Sequence, residues 1–122
     1  MITIDINTGK FRVAVTGHAM PEETDEYREV CAGISAMAQG LMYCMTKYES
    51  DHDALVSVNY RSDPGDLLIE VTPNTWAESA MRKRIRNYAD GLELLAMEHP
   101  ESVTMIIDGE TVKPMEGGKQ NE

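Results

Sequence analysis

Residues 2–6 read Ile-Thr-Ile-Asp-Ile, an unbroken alternation of apolar and polar side chains. Successive side chains of a strand point to opposite faces, so Ile2, Ile4 and Ile6 share one face, and the pattern is that of a half-buried strand. Asn7-Thr8-Gly9-Lys10 is a turn sequence, after which Phe11, Val13 and Val15 resume the alternation. Together they read as a hairpin ending at Gly17.

From Cys31 the period changes. Cys31, Ile34, Ala38, Leu41, Met45 and Tyr48 recur at spacings of three and four, which lines one face of a helix. A second stripe, Ala32, Ala36 and Gly40, is small and invites close packing by the sheet or by a second subunit. A helix apolar around so much of its circumference reads as central and buried, ending near Ser50. Residues 54–60 and 67–72 are strand-like and joined by a turn at 62–66. Thr75 could cap a second helix, with Glu78 completing a capping box. Its apolar stripe is Ala77, Met81, Ile85, Tyr88, Leu92 and Leu95, and Pro100 stops it. Val103–Ile107 is a last strand. The order β-β-α-β-β-α-β predicts an α+β fold, a single sheet with two main helices packed on it. The sheet is expected to be mixed, through parallel pairing of the strands that flank each helix.

The chain has 122 residues and is 42% hydrophobic, which suits one domain over 1–113 followed by a loose polar tail over 114–122. No apolar run reaches membrane length, and the start has no basic region followed by an apolar one, so no membrane contact and no export signal are expected. Two cysteines are too few for a disulfide framework. On one helix, Cys31 and Cys44 would lie roughly 20 Å apart. Thiols of that kind fit a reducing cytoplasm. A formal net charge of −10 argues against nucleic-acid binding through phosphates but not against a basic peptide or protein partner.

His18 and Cys31 stand at the two edges of one acidic connector. A thiol nucleophile needs a nearby imidazole to take and return a proton, and the two need not be adjacent in sequence. If Cys31 opens a helix, the helix N-terminus would favour the thiolate and offer backbone N–H groups for an oxyanion. Ala32 then belongs to the same pocket. Ser35, one turn further, could orient the thiol, and Gly17 would permit a strained backbone or a close substrate. A cysteine in an apolar stripe is otherwise simply core. The sequence expectation is a mobile loop over 20–29, which has almost no apolar stripe. The alternative is a helix starting near Pro21, which would leave Cys31 mid-helix without the dipole.

Other chemistries fit poorly. A tyrosine-phosphatase loop needs an Arg where Met37 stands, and His18, Cys31, Cys44, His52 and His99 lack the spacing of a zinc site. No glycine-rich nucleotide motif occurs, and no cofactor or metal is expected. His52 reads as a solvated loop residue and His99 as a partner of a helix C-terminus. Arg82-Lys83-Arg84-Ile85-Arg86 holds four of the eleven basic residues and reads as a solvated helix face, or else as a contact for an acidic partner. The nine methionines read as adaptable core.

Gly17-His18-Ala19, a connector of about a dozen residues, and Val30-Cys31-Ala32-Gly33-Ile34-Ser35-Ala36 together resemble the ribosomal-processing cysteine proteases of Firmicutes and their phages. The resemblance lies in roughly residues 16–41, about a fifth of the chain. It implies a small homodimeric α/β endopeptidase with a Cys-His dyad, His18 and Cys31, and with Ser35 as a supporting residue. It implies removal of an N-terminal extension from a large-subunit ribosomal protein, with the cut after an aromatic residue. Phage scaffold or capsid proteins are a variant substrate. The connector becomes a flap over bound peptide, carrying Glu22, Glu23, Asp25, Glu26 and Arg28. Where the family has an Asp three residues before the Cys, this chain has Arg28, which could stabilise a thiolate or pair with surrounding carboxylates. That departure motivates an alternative, a catalytically degenerate dimer that binds peptide without turning it over. The crowded carboxylates could steer a basic substrate.

Overall fold

The computed structural model describes residues 1–17, 25–52, 55–63 and 65–114. In chain order it contains β1 (Ile2–Asn7), β2 (Arg12–Thr16), α1 (Asp25–Asp51), β3 (Val56–Asp63), β4 (Asp66–Pro73), a 3-10 turn (Thr75–Ala77), α2 (Glu78–Glu98), β5 (Val103–Ile107) and the two-residue β6 (Glu110–Thr111). The fold is α+β, with one mixed six-stranded sheet in the order β3-β4-β2-β1-β5-β6.

The alternation in β1 and β2 does what its period requires. Ile4 pairs with Val15 and Ile6 with Val13, and all four are buried on one face. Each fully buried aliphatic side chain there contributes about 1.5–3 kcal/mol. The same face of β4 presents Leu67, Ile69 and Val71, and that of β5 presents Val103 and Met105. Val30, Ile34, Ala38, Leu41 and Met45 of α1, with Met81, Ile85, Ala89, Leu92 and Ala96 of α2, complete one core. Met45, Met81 and Met105 are fully buried within it. The opposite face of the sheet is mostly polar, with Arg12 and Glu70 paired at 3.5 Å across β2 and β4, and also carries Ala14, Leu68 and Ile106.

The sheet is mixed, but not through the strands expected to pair in parallel. The parallel pair is β1 with β5, which are far apart in sequence. The strands flanking α1 are separated by β4, and those flanking α2 by β2 and β1. The cause is the short β3–β4 hairpin, which holds β4 beside β3, so that β4 and not β3 meets β2.

The start of α2 also differs from expectation. The Asn74 side chain accepts from the N–H groups of Trp76 and Ala77, at 2.9 and 3.2 Å, and caps the 3-10 turn that leads into α2. Thr75 lies inside that turn and is not the cap. His99 closes α2, its N–H bonded to the Leu95 carbonyl at 3.0 Å. The small stripe of α1 is divided. Ala32 and Ala36 are exposed, whereas Gly40 lies against the Tyr88 ring of α2.

The basic run on α2 is divided as well. Arg82 stacks over Phe11 at 4.9 Å and Arg84 over Tyr48 at 4.7 Å, while Lys83 and Arg86 face solvent. His52 is exposed and stacks on Tyr48. No helix among the described residues is long and apolar enough to cross a membrane. Residues 115–122 of the expected tail lie outside the described residues.

Candidate active site

The N-terminal half of α1 lies over one end of the sheet. A groove of about 560 Å³ opens between them. Its helix wall carries Cys31, Ala32, Ser35 and Gln39, and its far wall is the β3–β4 hairpin with Ser62, Asp63, Gly65 and Asp66. The floor is apolar, from Ile2, Val15, Ile34, Ala38 and Leu67.

Cys31 is half-buried, so it borders the groove without belonging to the sealed core, and neither it nor Cys44 is in a disulfide. The spacing of four places Ser35 and then Gln39 on the same side of α1. Gln39 Nε2 donates to Ser35 Oγ at 3.1 Å, which leaves the hydroxyl hydrogen of Ser35 to be given elsewhere. Gln39 was not among the residues anticipated from sequence. Its signal was present all the same, as the third member of the series Cys31, Ser35, Gln39. The hairpin residues carried no such signal, because nothing local ties residue 62 to residue 31.

Gly17 ends β2 and also lines the groove. Its φ is 88°, a conformation a side chain disfavours, and a Cβ there would run into the Met1 carbonyl oxygen. Its N–H bonds to the Gly65 carbonyl at 2.9 Å, which ties the end of β2 to the hairpin. Gly17 thus starts the connector beside the groove. His18, Glu22 and Glu23 lie outside the described residues.

The expected loop over 20–29 is corrected from Asp25 onward, where α1 begins. Asp25 and Glu26 sit in the first turn, where negative charge complements the helix dipole. Arg28 Nη2 reaches Asp25 Oδ1 at 2.7 Å, so its cation pairs with a neighbouring carboxylate. Glu26 Oε2 lies 3.2 Å from His99 Nδ1, which joins the start of α1 to the end of α2. Cys31 is therefore six residues into the helix, roughly 9 Å from its start. The dipole fades within the first turn, and the N–H groups left over by helix formation are the first four, before Cys31 and Ala32. Neither the dipole nor the local N–H groups expected at Cys31 are supplied by this helix.

On the hairpin, Arg61 Nε and Nη2 contact Asp66 at 3.0 and 3.3 Å. The hydrogen bond and then the charge of Asp66 hold the guanidinium pKa above its ordinary value. Among the described residues no three His, Cys, Asp or Glu side chains cluster as metal ligands would.

Neither a family model nor a curated protein sequence matches the chain. Solved structures do. The ribosomal processing protease Prp from S. aureus, in complex with a substrate peptide, aligns with a TM-score of 0.68 at 19% identity, covering 88% of this chain and 99% of that one. The same protein with a covalently linked product peptide aligns with a TM-score of 0.67 at 23% identity and the same coverage. SMU.848 from Streptococcus mutans aligns with a TM-score of 0.59 at 25% identity, covering 87% of this chain and 90% of that one. The chain shares their fold across nearly its whole length.

Proposed function

We propose that this chain is a cysteine endopeptidase of the ribosomal-processing family. Cys31 is its nucleophile and His18 its proton carrier. The substrate is the N-terminal extension of a large-subunit ribosomal protein, cut after an aromatic residue. The observation that carries the reading is the groove of about 560 Å³, with a half-buried cysteine on its wall and an apolar floor. The fold shared with a protease crystallised with substrate and product peptides supports it.

In this reading His18 takes the thiol proton, and the sulfur attacks the scissile carbonyl to form a thioester. The proton returns to the departing amine, and water then hydrolyses the thioester to restore the thiol. Because α1 begins at Asp25, the oxyanion donors come from outside the Cys31 turn. The Ser35 hydroxyl, one turn along the same wall and bonded to Gln39, is one such donor. The enzyme works as a homodimer in the cytoplasm and needs no cofactor or metal.

One observation favours the second reading, a peptide-binding relative that does not turn over. Cys31 lies six residues inside α1, away from the helix terminus that would favour its thiolate. Incubation with a peptide bearing the aromatic cleavage sequence, and with its aromatic-to-Ala counterpart, separates the two. A single cut after the aromatic residue is expected, lost in both Cys31→Ala and His18→Ala. Cleavage that survives in both variants overturns the dyad. Binding without product favours the degenerate relative, and cutting only of a phage assembly protein changes the substrate.

A further inference from the structure

Among the described residues strand β3 ends the sheet, with β4 on one side and no strand on the other. The N–H of Val58 points away from β4, to the Glu49 carboxylate at 2.8 Å. Backbone direction alternates along a strand, so Tyr60 and Ser62 also turn their N–H and C=O groups outward, while Asn59, Arg61 and Asp63 face β4. Among the described residues neither of the outward N–H groups of Tyr60 and Ser62 has a bonding partner. Glu49 closes one half of this edge. The open half is the one that reaches the groove, where Ser62 is a wall residue together with Cys31.

The side chains agree with the backbone. Tyr60 and Ser62 lie opposite Ile69 and Leu67, on the face that the helices cover elsewhere. Yet Tyr60 is 56% exposed and Ser62 is also exposed. An edge with two open donors suits a few residues of an extended peptide better than the long pairing of two whole strands.

We propose that a peptide substrate docks here by strand addition, pairing its backbone with Tyr60–Ser62 and continuing into the groove beside Cys31. This rests on the protease reading of the groove. The main-chain bonds supply affinity that does not depend on sequence, and alternate side chains of the peptide turn toward the groove floor and supply selection.

The test uses the full chain carrying Cys31→Ala and a synthetic peptide spanning the aromatic cleavage sequence. Amide hydrogen exchange, read by NMR, is expected to slow at least about tenfold at Tyr60 and Ser62 when peptide is bound. N-methylation of the peptide at every second backbone nitrogen is expected to weaken binding by about three- to tenfold, with little effect at the positions between. Ser62→Pro removes an outward N–H without breaking a ladder bond, and is expected to weaken binding in the same range. Cleavage by the wild type with unchanged exchange at both amides overturns strand addition and leaves the protease reading standing. Neither cleavage nor binding overturns both. Protection that grows with protein concentration in the absence of peptide gives the edge to a second copy, and also overturns the proposal.

Discussion

Gly17 turns against the carbonyl group of Met1 so closely that no side-chain carbon fits between them. Its positive φ adds a second penalty for any other residue. Gly17→Ala is expected to lower stability by about 1–3 kcal/mol. On the proposed mechanism it also reduces peptide cleavage further than lost stability explains, because the next residue is His18, the proposed proton carrier. Urea unfolding and turnover measured on one preparation check both parts. Unchanged values would show that the end of β2 shifts without cost.

Gly33, in the same motif as Cys31, is a different case. It lies within α1 at a helical position, and a Cβ there would meet Leu95 Cδ1 at an ordinary 3.6 Å. Gly33→Ala is therefore expected to stabilise the fold by about 0.4–1 kcal/mol, mainly by restricting the unfolded chain. A lower thermal midpoint would show that α2 cannot accommodate the added methyl group.

The cap before α2 separates two neighbouring residues. Asn74→Ala removes the acceptor for two N–H groups and is expected to cost about 0.5–2 kcal/mol. Thr75→Ala, at a residue inside the turn, is expected to stay within about 0.5 kcal/mol of the parent. Denaturant midpoints of the two variants decide it. A larger loss at Thr75 would restore the capping box read from the sequence.

Glu49 holds the Val58 N–H at the edge of β3. Glu49→Ala is expected to cost about 1 kcal/mol and to free a third outward donor on that edge. Sedimentation of the variant should show association that increases with concentration beyond that of the parent. Glu49→Gln, which keeps an acceptor, should show less of it. Identical sedimentation of all three would mean that this carboxylate does not guard the edge.

The elements of the fold were legible because they are written in local period. Ile2, Ile4 and Ile6 alternate, and Ile34, Leu41 and Met45 recur every three or four residues. Each pattern reflects the geometry of a few adjacent peptide units. Gly17, Cys31 and Ser35, singled out from the sequence, are brought to one groove by the fold. Gln39 was written in the same period as Ser35.

The beginning of α1 was not legible. Residues 25–29 have no apolar stripe, and one of the contacts there joins Glu26 to His99, 73 positions away. Nor could local pattern show that β5 lies beside β1, or that Ser62 and Asp66 face Cys31 across a groove. The spacing of side chains along one segment was enough for β1 to β5, for the body of each helix and for Cys31, Ala32 and Ser35 on the helix wall of the groove. Which strands are neighbours, where the first helix starts and what forms the second wall came from long-range packing. Those outcomes depend on contacts between distant segments, which exist only once the core that joins them has formed.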